Sequence, residues 1–228
     1  MNPVNRIALC MIMALAGFTP PAVAAAGELN LAIRHEIVSL GSDGINRKSE
    51  FGERLYRRND QVWVERIIPA GAHSDSDHAN HAKDHKHLDL AASARWIIRE
   101  AKGGLRVRLV NRYERMIVDI TPPDYNNVGF DGDWDTAYHL ISPKHLASMK
   151  PTGQTAPAGS KWYESRNQSG WVKVLWDEKE QYPRQVESGN DARTSHKSMM
   201  ATVTPAPSHL PWTALKAYQQ KEYSDTLD

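Results

Sequence analysis

Cysteine is nearly missing from this chain. Its 228 residues contain one, Cys10, so no internal disulfide can form and no cysteine-built metal centre has its ligands. An excess of one charge is missing too. Lys and Arg total 28 against 27 Asp and Glu, a formal net charge of +1, which gives no basic footprint for nucleic acid or an anionic membrane surface. Long apolar runs are absent beyond the first two dozen residues, which excludes a polytopic helical membrane protein. The sequence also lacks G-x-S-x-G, H-E-x-x-H and a glycine-rich phosphate loop, so the commonest hydrolase and nucleotide sites have no starting point. What is left, 40% hydrophobic and 24% charged, is the composition of a globular domain.

The N-terminus reads as an address. Met1 to Arg6 carries one positive charge, Ile7 to Phe18 is an uncharged apolar run, and small residues follow, with Ala22-Val23-Ala24 on the small-x-small cleavage pattern. This is the three-part layout of a secretory signal peptide over residues 1–24. The apolar run has 12 residues, short of the ~20 that span a bilayer, so no transmembrane anchor is expected after cleavage. Leu9 precedes Cys10, where a lipoprotein signal needs a small residue. Cleavage removes the only cysteine and leaves residues 25–228 as a single domain held by its core. The signal has a bacterial style, and the expected location is the periplasm.

Beyond the leader the dominant hydrophobic period is two. Leu29, Leu31, Ile33 and Ile37 alternate with Asn30, Arg34 and Glu36, the pattern of a half-buried strand. FGERLYRR (51–58) and QVWVERII (61–68) flank Asn59-Asp60, a pair that predicts a tight hairpin. Residues 88–102 read as a short helix closed by Gly103-Gly104, with Trp96-Ile97-Ile98 open to a strand reading. Leu105 to Val110 and Met116 to Ile120 are strand-like, and Pro122-Pro123 stops the second. Ala137 to Ile141 is a short strand or leads into a helix near Lys144 to Met149. Lys161 to Ser165 and Gly170 to Trp176 form a pair across Asn167–Ser169, and Tyr182 to Glu187 with Ser198 to Val203 form another. Pro211 opens a last helix over residues 211–223, with Trp212, Leu215 and Tyr218 at helical spacing. Strands and helices do not alternate, so the expected fold is α+β: a single curved antiparallel sheet with two or three helices on one side.

Two stretches give this layout a family likeness. In LYRRNDQVWVERI (55–67) a Tyr-Arg-Arg-x-Asp-Gln turn joins two strands. In KWYESRNQSGWVKVLWDEKEQYPRQVE (161–187) a strand ends in Trp-Asp, a turn follows, and Pro-Arg opens the next strand. Behind a signal peptide, the arrangement resembles the LolA/RseB-like superfamily of periplasmic proteins. That resemblance implies a half-open β-barrel closed by helices, whose concave apolar face binds a lipid-like ligand or a partner protein without catalysis. It carries over no individual functional residue. The His-rich segment and VGFDGDWDTAYHL (128–140) have no counterpart in that pattern.

One segment carries metal-binding chemistry. Residues 70–87 form a low-complexity loop in which His73, His78, His81, His85 and His87 are five of the chain's ten histidines, interleaved with Asp75, Asp77 and Asp84 and followed by Asp89. Imidazole suits zinc and copper, and Asp89 offers a carboxylate to complete the shell. Such a loop is expected to hold Zn or Cu loosely and in competition with protons. The alternative function is therefore periplasmic transition-metal binding through the loop. His85-Lys86-His87-Leu88-Asp89-Leu90 is similar to the HxHxDH signature of metallo-β-lactamase-type hydrolases, but Leu90 replaces the last histidine. Asp131, Asp133 and Asp135 resemble the start of a calcium loop, yet Thr136 and Ser142 stand where Gly and Glu belong. A capped turn carrying a packed Trp134 is the expected reading. His35, His139, His145, His196 and His209 are scattered and read as structural. The seven tryptophans read as core or cavity lining. Trp171 and Trp176, five apart on one strand, should face opposite sides of the sheet.

Overall fold

A computed structural model describes residues 27–68 and 93–226. The His-rich loop, Asp89 and the leader lie outside the described residues.

Twelve strands form one curved, unclosed sheet. In chain order they are β1 (Leu29–Leu40), β2 (Asn46–Arg58), β3 (Gln61–Ile67), β4 (Ala94–Arg99), β5 (Leu105–Asn111), β6 (Met116–Ile120), β7 (Lys150–Pro151), β8 (Ser160–Asn167), β9 (Gly170–Asp177), β10 (Tyr182–Gly189), β11 (Ser195–Val203) and β12 (Gln219–Glu222). Across the sheet the order is β12-β6-β5-β4-β3-β2-β1-β11-β10-β9-β8-β7. Two meanders, β1–β6 and β7–β11, are thus joined where β1 pairs with β11. Every pairing is antiparallel except β12 on β6. The expected α+β half-open barrel is the observed fold.

The hairpins are closed by local chemistry. Asn59 takes φ 37° in the two-residue β2–β3 turn, a left-handed conformation that asparagine tolerates. In three other hairpins the last strand residue folds its side-chain oxygen over the turn. Asn111 accepts from the N–H groups of Tyr113 and Glu114, Asn167 from Ser169 and Gly170, and Asp177 from Lys179 and Glu180. These are Asx turns.

The chain between β6 and β7 must travel from one side of the sheet to the other, and it does so across the inner face. It contains a 3-10 turn (Pro122–Val128) and two short helices, α1 (Trp134–His139) and α2 (Pro143–Ser148). Asp133 caps α1 by accepting from the N–H of Asp135 at 2.9 Å and from the Thr136 hydroxyl at 2.7 Å, while Asp131 accepts from the N–H of Asp133. The aspartate run is therefore the expected capped turn, with Trp134 half-buried behind it. Ser142 caps α2. Trp134, Tyr138 and Leu140 pack on Leu31, Ile33, Leu55 and Val62. Ile141, Leu146 and Met149 pack on Val174 and Trp176.

One open reading resolves and one helix expectation is corrected; residues 88–92, where the first helix is expected to start, lie outside the described residues. Residues 94–99 are strand β4, in which Arg95 and Ile97 share the inner face with Val62 and Val64 of β3 while Trp96 lies beside Trp63 on the outer face. Period-two alternation prevails there over the helical composition. The predicted C-terminal helix over 211–223 is instead a 3-10 turn (Pro211–Ala214), strand β12 and a final 3-10 turn (Tyr223–Thr226). Trp212, Leu215 and Tyr218 do share one side, and they cover Trp63, Trp96 and Ile117 on the outer face. The free edge of β6 offers unpaired backbone groups that a strand satisfies and a helix cannot. Trp171 and Trp176 face opposite sides as expected: Trp176 packs under α2, while Trp171 lies beside His196 on the outer face.

Candidate functional site

Among the described residues the helical crossover packs over one end of the inner face. At that end a buried arginine ties three chain segments together. Arg57 is fully buried, and its guanidinium donates to the carbonyls of Gly27, Tyr138, Glu180 and Gln181 at 2.6–3.3 Å. It also lies 4.7 Å from the Tyr138 ring centre. Burial pulls its pKa below the ordinary arginine value, but carbonyl dipoles take the place of a carboxylate partner. Beside it the His139 ring, also buried, hydrogen-bonds through Nδ1 to the Gln181 carbonyl at 2.8 Å. A carbonyl only accepts, so Nδ1 carries the proton. Burial lowers the pKa of His139.

Towards the other end the strands continue past the residues that pack against α1 and α2. Register places Val186, Met199, His35 and Phe51 in one transverse row on the inner face, with Lys197, Ile37 and Ser49 in the next. Val186, Met199, His35, Phe51 and Ile37 are all half-buried. His35 Nε2 meets the Glu53 carboxylate at 2.8 Å. Its ring stacks on Phe51 with centres 4.5 Å apart and planes 16° apart, and the Arg66 guanidinium lies 4.5 Å from the same Phe51 ring. Deeper in, Arg95 donates to the carbonyls of Val128 and Gly129, while its buried Nε has no partner among the described residues. At the rim, the β1–β2 turn presents Leu40 and Ile45, 40% and 57% exposed.

This half is an apolar strip with a histidine–carboxylate hydrogen bond and two arginines along one side. Such a surface can hold an apolar chain or an apolar segment, with polar groups to orient it. Among the described residues no three His, Cys, Asp or Glu side chains converge on one point. The metal-ligand candidates His73, His78, His81, His85, His87 and Asp89 lie outside those residues. His35, Phe51, Glu53, Arg66 and Met199 did not stand out in the sequence as site residues, and His35 read as structural. The signal was available in β1, where His35 and Ile37 continue the alternation of Leu29, Leu31 and Ile33.

No family model matches the chain, and no curated protein matches it. Among solved structures it is similar to a putative outer membrane lipoprotein-sorting protein domain from Vibrio parahaemolyticus, at 11% identity and a TM-score of 0.38 over 85% of this chain and 91% of that one. It is similar to the LolA superfamily protein NE2245 from Nitrosomonas europaea, at 6% identity and a TM-score of 0.32 over 80% and 89% of the two chains. A third likeness is to a chain of the Pseudomonas aeruginosa MucA/MucB complex, at 11% identity and a TM-score of 0.34, covering 82% of this chain and 56% of that one. The resemblance is weak and transfers no residue roles.

Proposed function

We propose that this chain is an exported, non-enzymatic binding or accessory protein that works in the periplasm. The half of its inner face around His35 and Phe51 engages a lipid-like ligand or an apolar segment of a partner protein. The reading is carried by one observation: among the described residues His35, Ile37 and Phe51 on the inner face are half-buried yet join none of the apolar clusters, while their row neighbours Val186 and Met199 pack against the clusters that α1 and α2 complete. The leader-like residues 1–24 support export. Mass spectrometry of protein purified from the periplasm under native conditions tests the lipid-like ligand. Apolar material released by solvent extraction, and lost in an Ile37→Asp/Met199→Asp double variant, is the expected result. Its absence from the wild type speaks against that ligand.

A second reading rests on the five histidines between residues 73 and 87. There the loop binds zinc or copper and the sheet serves as its carrier. Calorimetric titration of both metals, with and without residues 73–87, tests it. Loss of function on deletion of the loop is expected only under this second reading.

A further inference from the structure

The outer face carries a second concavity at the same end of the sheet, built from residues outside the inner face. A cavity of about 330 Å³ is lined by Trp171, Gly189, His196, Arg166, Arg193 and the turn residues 190 and 191. Register explains its shape. Arg166, Trp171, Gly189 and His196 lie side by side on β8, β9, β10 and β11. Glycine at the third position leaves a gap between the indole and the imidazole. A Cβ there would sit 3.1 Å from the indole and 3.0 Å from the Ser195 carbonyl, so only glycine leaves the gap open without moving the ring.

The β10–β11 turn forms the wall. Asn190 holds it rigid, its side chain accepting from the N–H groups of Thr194 and Ser195 and donating to the Thr194 hydroxyl. Arg166 reaches from β8 to Asp191 at 2.5 Å and clips the turn over the cavity. Arg193 adopts φ 57° at the tip, a left-handed conformation that a non-glycine residue seldom takes. Among the described residues its guanidinium has no hydrogen-bond or ion-pair partner. Lys173 lies 5.7 Å from the centre of the Trp171 ring. Two arginines, Arg166 and Arg193, thus line the cavity with one carboxylate, Asp191; Arg166 pairs with Asp191 and lies 3.9 Å from Glu164, Lys173 faces Glu164 and Glu187 across the neighbouring strands, and Arg193 is left over.

We propose that this outer cavity binds a single-ring organic carboxylate, its ring packed on Trp171 and its carboxylate on Arg193. The volume admits one ring with a short substituent. The aromatic wall favours a ring face, and the uncompensated guanidinium favours an anion with planar oxygens. An aromatic acid and a sugar acid share this chemistry.

The test is an NMR titration of the full chain with benzoate, with glucuronate and with acetate, following the Trp171 indole N–H resonance assigned through Trp171→Phe. Benzoate or glucuronate is expected to shift it with Kd on the order of 1 mM or tighter, and acetate is not. Arg193→Ala, at an exposed position, should weaken binding about tenfold. Arg193→Glu should abolish it, and Arg106→Ala on β5 should leave it unchanged. The inference is overturned if neither ring acid shifts the resonance, if acetate shifts it equally, or if folded Arg193→Ala binds as tightly as the wild type. Benzoate alone binding assigns the site to aromatic acids, and glucuronate alone to sugar acids.

Discussion

The Asp177 carboxylate meets the Arg184 guanidinium at 2.6 Å across the β9–β10 turn, while its other oxygen accepts the N–H groups of Lys179 and Glu180. One side chain thus closes a hairpin and anchors the next strand. Burial alone would raise the pKa of Asp177, but the Glu180 N–H and Arg184 hold it below the ordinary carboxylate value. The unfolded chain therefore binds the proton more readily. The stabilisation is complete above the unfolded pKa of ~3.9 and is lost as pH falls through the lower folded value. Asp177→Ala should cost about 2–4 kcal/mol at neutral pH. In urea melts the variant should also show a flatter acid limb than the wild type.

Arg57 predicts a larger loss. Replacing it by Met removes donors from four carbonyls on three segments and should cost about 3–5 kcal/mol. Arg57→Lys keeps the charge but not the fork, and should recover only part of this. Chemical denaturation of the three proteins measures the order wild type, Lys, Met.

His139 makes stability depend on mildly acidic pH. Its folded pKa is depressed by burial, so the unfolded state takes up the proton first. Stability is full above the unfolded histidine value of ~6.5 and falls as pH drops below it. His139→Asn, which can still donate to the Gln181 carbonyl, should flatten that decline. Urea midpoints between pH 5 and 7.5 for the two proteins check it.

The hairpins and the leader-like segment were legible because their signals are local. Asn59-Asp60, Asn167 and the Asp177…Arg184 spacing specify turns wherever they occur, and alternation along β1 and β9 assigns faces without knowledge of the partner strands. The C-terminal strap was not legible. Trp212, Leu215 and Tyr218 fit a three-residue spacing that serves a helix or a 3-10 turn equally, and the choice falls to the free edge of β6, far earlier in the chain. The inner face around His35 was hidden for a similar reason: how far the 122–149 crossover reaches over the sheet depends on tertiary packing, so His35 resembled any half-buried histidine.

The strap carries its own prediction. Trp212 stacks on Trp96 with planes 9° apart and centres 6.5 Å apart, and Leu215 is buried beneath it. Trp212→Ala should cost about 2–3 kcal/mol. Truncation after residue 204 should cost more and expose Trp63 and Trp96, seen as a red-shifted fluorescence maximum.

Site-directed photocrosslinking in cells tests the central claim most directly. A benzophenone side chain placed at Ile37 or Met199 on the inner face, and at Lys48 on the outer face as control, reports what touches each surface. The account predicts adducts, of a lipid-like molecule or of one recurring partner, at Ile37 and Met199 but not at Lys48. Bare protein at both inner positions, or the same adducts at Lys48, contradicts it.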